Sequence, residues 1–248
     1  MRTDFQILAG LVGFALLSMP VYGLGPARRR HDPHEIADRG SFILGSFVRS
    51  WFYWFVGPVE RTALALRMSP LAFNLFGVAF GIAGGVAFGM GDPVLGGWGI
   101  LLGGVMDVLD GRIARARGLA SAQGAFLDST LDRFSEFGAL VGMAVLFRDS
   151  ELALIFVTTA LGGSLLVSYT RARGESVGIV CKQGVMQRAE RLLLLGFGGI
   201  LDPSLSAWWG HPTGTILFGV LGVVAMGTVG TAVYRTVWIA RRLGASSD

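Results

Sequence analysis

Apolar residues run along the chain in segments of about 20 residues, separated by short polar connections. The segments cover residues 5–24 and then about 70–90, 94–117, 122–147, 151–173, 188–209 and 213–240. A helix of roughly 20 apolar residues crosses the ~30 Å hydrocarbon core of a bilayer. The pattern therefore predicts an all-α integral membrane protein, with a six-transmembrane-helix bundle and an extra N-terminal transmembrane helix.

The first apolar segment also has the length of a signal peptide. Arg2 is offset at once by Asp4, however, and no small-residue cleavage site precedes the arginines at 28–30. We therefore expect an uncleaved transmembrane helix at 5–24.

The stretch between the first segment and the bundle is rich in both aromatic and basic residues. Trp51 to Phe55 form a continuous aromatic run, with Arg49 before it and Arg61 after it. Such a mixture is typical of a helix that lies along the membrane interface. The predicted organisation is an N-terminal transmembrane helix and polar connector at 1–37, an interfacial amphipathic helix at 38–68, and a six-helix membrane domain at 69–242.

Composition supports this interpretation and orients the chain. Of the 248 residues, 52% are hydrophobic and 15% charged, which excludes an ordinary soluble domain. Basic residues concentrate on one side of the predicted bundle: Arg28, Arg29, Arg30, Arg39, Arg49, Arg61, Arg67, Arg112, Arg115, Arg117, Arg171, Arg173, Lys182, Arg188, Arg191, Arg241 and Arg242. The positive-inside rule makes this side cytoplasmic in a cell membrane, so the basic charge does not indicate a nucleic-acid partner.

Between residues 107 and 132, four carboxylates lie within two consecutive apolar segments. Asp107 and Asp110 are spaced i, i+3 on one predicted helix, and Asp128 and Asp132 are spaced i, i+4 on the next. The short link makes the two helices antiparallel neighbours, so the two pairs can converge. An acid at mid-membrane costs roughly 2.5–3.5 kcal/mol.

Two explanations account for these acids. A buried network with nearby arginines would neutralise them, but it explains poorly why the acids form two facing stripes lined by Gly and Ala. All-oxygen ligation suits magnesium, with manganese possible, and four acids can share two ions. We therefore predict a metal site at Asp107, Asp110, Asp128 and Asp132.

The residues around the acids fit one spaced pattern at every fixed position, D-x2-D-G-x2-A-R-x8-G-x3-D-x3-D. Its members are Asp107, Asp110, Gly111, Ala114, Arg115, Gly124, Asp128 and Asp132. This pattern resembles the signature of the CDP-alcohol phosphotransferase family, membrane enzymes that make phospholipids. The similarity in architecture covers about residues 40–240 and leaves the segment at 5–24 outside.

The resemblance implies a homodimer that binds a CDP-lipid and two magnesium ions. Asp107, Asp110 and Asp128 would ligate metal, and Asp132 would be a ligand or the general base. The CDP site would be lined by Asp107, Gly111, Ala114, Arg115 and Gly124. In one departure, Pro70 is not followed by the Asn and nearby Thr frequent in the family, which weakens any nucleotide contact expected there.

A basic cluster at the cytoplasmic ends of two segments indicates an anionic acceptor. Its members are Arg133, Arg171, Lys182, Arg188 and Arg191. Arginine forks suit phosphate oxygens. The runs at 169–175 and 184–191 also resemble the branch of the family that makes phosphatidylinositol phosphate or its archaeal counterpart, so the cluster would surround the phosphate of inositol 1-phosphate.

Other functions remain open at this point. sn-Glycerol 3-phosphate needs a similar phosphate pocket, whereas inositol or serine would leave the arginines without a purpose. A membrane prenyltransferase also uses acidic pairs with magnesium, but the D-G-x2-A-R continuation does not belong to it. A divalent-cation transporter would leave Gly111 and Arg115 unexplained.

Overall fold

The computed structural model describes residues 3–25 and 45–245. This described part is helical, in the order α1 Thr3–Leu24, α2 Gly45–Ala65, α3 Pro70–Gly89, α4 Pro93–Ala116, α5 Ala122–Leu146, α6 Glu151–Ser176, α7 Arg188–Trp208 and α8 Thr215–Ala245. The predicted polar connector and the start of the predicted interfacial helix lie outside the described residues.

Local signals fix where several of the helices begin. Ser69, Asp92, Ser121 and Ser150 each accept a hydrogen bond from a backbone N–H in the first turn of the following helix. Such N-caps satisfy donors that have no partner inside the helix. Pro70 and Pro93 then occupy first helical positions, where proline costs no hydrogen bond.

Four of the described helices are long and apolar enough to cross a membrane: α3, α4, α6 and α8. Helices α5 and α7 form at about the predicted positions but are not among these four; α5 carries Asp128 and Asp132, and α7 carries Arg188 and Arg191. The all-helical membrane class is confirmed, whereas the count of six crossings stays a prediction.

Helix α3 is the centre of the packing around the acidic segments. It packs against both α4 and α5, while α4 also packs against α7, and α6 against α8. Glycines permit the close approach: a Cβ at Gly84 would lie 2.9 Å from the Gly96 carbonyl oxygen, and one at Gly85 would collide with Gly138. Helix α3 thereby brings the two acid-bearing helices to one place without extensive contact between them.

Helices α1 and α2 pair with each other in antiparallel fashion. The ring centroids of Phe14 and Phe55 are 6.0 Å apart, and those of Tyr22 and Phe47 are 5.8 Å apart. Between these contacts, Trp51 Nε1 donates a 2.9 Å hydrogen bond to Ser18 Oγ. Contacts that advance four residues on one helix and retreat four on the other require nearly antiparallel axes.

Candidate active site

Helices α4 and α5 place the predicted acidic residues together at one end of the bundle. Asp107 and Asp110 lie in the last turns of α4, and Asp128 and Asp132 lie in the first turns of α5. One carboxylate oxygen each from Asp107, Asp110 and Asp128 lies within 4.8 Å of the other two. The two pairs therefore converge as their spacing predicts.

Asp110 is the most buried of these acids. It is 3% exposed, and its Oδ2 atom has no hydrogen-bond partner among the described residues. A buried charge without compensation is costly, so an arrangement of this kind calls for a cation. Three converging carboxylates offer the hard oxygen ligands that magnesium and manganese prefer. The residues present therefore fit a divalent metal ion.

Asp132 lies beside this group and is joined to it by an arginine. Arg188, the first residue of α7, reaches Asp107 Oδ2 with NH1 at 2.6 Å and Asp132 Oδ1 with NH2 at 2.7 Å. Arg133 is a second neighbour, with NH1 at 3.9 Å from Asp132 Oδ2. An acid–arginine network thus exists here, but Asp110 Oδ2 takes no part in it.

A second ion pair lies between α5 and α7, one turn further from the aspartates on each helix. Arg191 donates from Nε to Glu136 Oε1 at 2.5 Å and from NH2 to Oε2 at 2.9 Å, and from NH1 to the Met186 carbonyl at 3.1 Å. Arg191 is 1% exposed and Glu136 is 7% exposed. Three of the five guanidinium N–H groups are therefore committed inside the protein.

The other predicted residues are more dispersed. Gly111 and Ala114 share the helical stripe of Asp107 and Asp110 and are partly buried, whereas Arg115 and Gly124 are exposed. The Gly124 N–H donates to the capping Ser121 Oγ at 3.1 Å.

The two remaining acceptor candidates lie around the end of α6. Arg171 is exposed and pairs with Glu175 on its own helix at 2.9 Å. Lys182 is partly buried in the connection from α6 to α7. Of the predicted acceptor group, Arg133 and Arg188 are the members whose ion pairs join them to the aspartates.

The structure adds residues that the sequence patterns did not single out. Asn74 and Ser135 line a small pocket together with Asp107, Asp110 and Asp132. Asn74 is the only polar side chain of α3, which is a usable signal, because a single amide in an apolar span needs a reason. Glu136 carries no such signal, since its partner Arg191 is 55 residues away in the chain.

Comparisons with known proteins agree with this geometry. Residues 62–233 match the family model CDP-alcohol phosphatidyltransferase. A phosphatidylinositol phosphate synthase of Streptomyces avermitilis is 33% identical over 84% of this chain and 87% of the relative. An archaetidylinositol phosphate synthase of Methanothermobacter thermautotrophicus is 34% identical over 76% of this chain and 90% of the relative.

Solved structures show the same likeness. The crystal structure of the Mycobacterium tuberculosis phosphatidylinositol phosphate synthase with CDP-DAG bound aligns at a TM-score of 0.63 and 27% identity, covering 73% of this chain and 92% of that one. The same enzyme in complex with manganese and citrate aligns at a TM-score of 0.64, over 73% and 87%.

The matched region begins near the end of α2 and contains all four aspartates. It decides between the functional classes left open above, because neither a cation transporter nor a prenyltransferase has this combination of family match and acidic group. The chain belongs to the CDP-alcohol phosphatidyltransferase family and is a membrane-embedded transferase of phospholipid biosynthesis.

Proposed function

We propose that the protein transfers the phosphatidyl group of CDP-diacylglycerol to a hydroxyl of inositol 1-phosphate and releases CMP. The observation that carries this proposal is the direct junction of Arg188 with Asp107 and Asp132, with Arg133 alongside. Arginines that can bind a phosphate therefore lie next to the aspartates that can bind a metal ion or accept a proton. The names of both sequence relatives, from a bacterium and an archaeon, share the inositol phosphate product.

On the donor side, Asp107, Asp110 and Asp128 would hold magnesium or manganese, and Asp132 adjoins them for a second ion. When bound, the ions stabilise charge on the diphosphate and on the departing CMP. The small residues Gly111 and Ala114 leave room beside the acids. We assign the nucleotide surface to Asp107, Gly111, Ala114, Arg115 and Gly124.

The chemical step needs one proton acceptor. The acceptor hydroxyl attacks the β-phosphorus of the CDP-lipid in line, its proton passes to Asp132, and the bond from that phosphorus to the CMP oxygen breaks. Arg188 orients the Asp132 carboxylate through its 2.7 Å contact. Asn74 of α3, which lines the same pocket, offers an uncharged hydrogen-bond donor and acceptor.

On the acceptor side, we assign the phosphate contacts to Arg133, Lys182 and Arg188, with Arg171 at the rim. Arg191 has a different role in this proposal. Its charge is neutralised by Glu136 and three of its donors are committed, so it fixes the first turn of α7 and thereby positions Arg188.

The proposal includes three features of the whole assembly. The aspartates face the cytoplasm, as the distribution of basic residues predicts, and the enzyme is a homodimer in the cell membrane. The functional unit is the helical domain at 69–242, preceded by the interfacial helix at 38–68. Labelling of single cysteines placed at the exposed positions 120 and 211, which lie on opposite sides in this arrangement, tests the orientation after Cys181 has been replaced by alanine.

The decisive experiment for the acceptor is CMP release by purified protein with CDP-diacylglycerol and magnesium. Inositol 1-phosphate, sn-glycerol 3-phosphate, inositol and serine are supplied separately. We expect turnover with inositol 1-phosphate alone. Turnover with glycerol 3-phosphate instead would keep the transfer chemistry and overturn the acceptor, and turnover with free inositol would remove the role of the arginines. No CMP release with any of the four would overturn the proposed reaction.

A further inference from the structure

Helix α2 contains one acidic residue, and that residue sits within its buried face. Tyr53, Val56 and Ala63 are buried positions of this face, and Glu60 lies between Val56 and Ala63 at helical spacing. Glu60 Oε2 accepts a 2.7 Å hydrogen bond from Arg112 Nε, and the two side chains are 13% and 15% exposed. A carboxylate in this position is costly without its partner, so the pair is a defined element of the interface between the two helices.

Arg112 belongs to the helix that carries the metal-site acids. It follows Gly111 directly and is two residues from Asp110. On α4, Leu109 and Ile113 are both 0% exposed and pack against α2. At 100° per residue, the centre of the face formed by Leu109, Arg112 and Ile113 lies roughly 140° around the helix from the centre of Asp107 and Asp110. Helix α2 therefore supports the acid-bearing helix from behind.

Two further contacts complete the attachment. The guanidinium carbon of Arg112 lies 4.8 Å from the centre of the Tyr53 ring, which is 3% exposed. Arg117 NH1 donates to the carbonyl oxygens of Arg67 at 3.2 Å and Met68 at 2.9 Å, in the segment after α2. Arg112 thus holds the last turns of α4 to α2 from within the D-G-x2-A-R run, and Arg117 holds the residue after α4 to the segment after α2.

We propose that Glu60 and Arg112 are a positioning pair, which ties α4 to α2 and so sets the placement of Asp110 and its neighbours toward the metal and the CDP-lipid. A catalytic group has to be held within about 0.5 Å of its working position. Asp110 and Asp128 are on helices that meet mainly through α3, so their alignment depends on what holds each helix from outside. This inference rests on the proposed reaction.

A double-mutant cycle tests the pair in the full-length protein. Glu60→Gln and Arg112→Gln are each expected to lower kcat/KM for CDP-diacylglycerol at least tenfold. The double variant should be no worse than the less active single variant, because both substitutions remove the same ion pair. Arg112→Lys, which keeps the charge and one donor, should recover part of the loss. Arg61→Gln is the matched control, since Arg61 is exposed and bonds only within its own helix in the described contacts.

Manganese affinity, measured by electron paramagnetic resonance on the same variants, separates positioning from a general loss of fold. We expect weaker binding in Glu60→Gln and unchanged binding in Arg61→Gln. The proposal is overturned if the single variants match the control, or if their losses multiply in the double variant. Absence of CMP release from the wild-type protein would overturn the reaction, while the manganese comparison would still decide on the pair.

Discussion

Among the residues that the structure describes, two aspartates are deeply buried, Asp110 and Asp202, and their surroundings are opposite. Asp202 is 0% exposed and accepts hydrogen bonds from the backbone N–H groups of Gly214, Ile216 and Leu217 at 2.6–3.0 Å, and from Ser206 Oγ at 3.2 Å. Asp110 is buried almost as deeply, yet its Oδ2 has no partner among the described residues.

The difference separates a structural acid from a functional one. Asp202 caps the first turn of α8, where free N–H groups attract a negative charge. It lies 14 residues along α7 from Arg188, roughly 20 Å from the aspartate group at 1.5 Å per residue. Asp110 instead offers a lone pair that the protein leaves for a ligand. Burial alone does not mark a functional acid, whereas a buried carboxylate oxygen without a hydrogen-bond partner, beside other converging carboxylates, does.

Replacement of Asp110 by Asn should give the largest functional effect. The isosteric amide removes a metal ligand, and loss of one preorganised electrostatic contact costs roughly 10²–10³ in kcat. The melting temperature should stay the same or rise, because an uncompensated buried charge is removed. CMP release and thermal unfolding in the same detergent measure both effects. Near wild-type turnover would remove Asp110 from the site.

Substitutions of Arg191 test whether a buried charge that is fully paired has a structural role even when it lies next to the aspartates. Arg191→Gln leaves Glu136 buried without its partner and should cost about 3–5 kcal/mol of the free energy of unfolding. The double variant Glu136→Gln with Arg191→Met should recover much of that loss.

Kinetics on that double variant then assign the role of Arg191. An unchanged KM for inositol 1-phosphate is expected of a positioning residue. A tenfold rise in that KM, with an unchanged KM for the CDP-lipid, would mean that Arg191 contacts the acceptor.

Asp202→Ala should act on stability alone. It leaves three backbone donors of α8 without their carboxylate, for a loss of about 3 kcal/mol. The melting temperature should fall by roughly 5–10 °C. Manganese affinity of the folded fraction should equal that of the wild type. A weaker manganese affinity at an unchanged melting temperature would contradict the assignment of Asp202 as a structural acid.

Arg171→Gln should give the smallest effect. Arg171 and Glu175 are about half exposed, and such a pair on one helix contributes roughly 0.3–0.5 kcal/mol. We expect no measurable change in stability and at most a few-fold rise in the KM for inositol 1-phosphate. A rise above tenfold would show that Arg171 is part of the phosphate site and not of its rim.

The sequence predicts the helical membrane class and the convergence of the acids because both depend on local spacing. The cap at Ser69 and the turn at 91–93 mark α3 and α4 in advance, and the i, i+3 and i, i+4 spacing of the acids determines which face each shares. Among the predicted spans, helix ends differ most at α8, predicted at 213–240 and observed at Thr215–Ala245, and next at α6, predicted to end at 173 and observed to end at Ser176.

The pairings that organise the site could not be predicted in the same way. Glu60 and Arg112 are 52 residues apart, and Glu136 and Arg191 are 55 apart. Hydrophobic periodicity does not predict which residues of two helices face each other when the helices are far apart in the chain. The sequence therefore predicts Arg191 as a member of the basic cluster and not as the partner of Glu136. Only the packing through α3 and α7 shows which arginine is committed and which adjoins the acids.

The most direct test of the account is manganese binding to the wild type, Asp110→Asn and Asp202→Asn, followed by electron paramagnetic resonance and paired with CMP release. We expect the wild type and Asp202→Asn to bind manganese with equal affinity and to release CMP, and Asp110→Asn, although folded, to lose both properties. Equal manganese affinity in all three proteins would contradict the inference that the buried Asp110, whose Oδ2 has no hydrogen-bond partner among the described residues, is there to hold a metal ion.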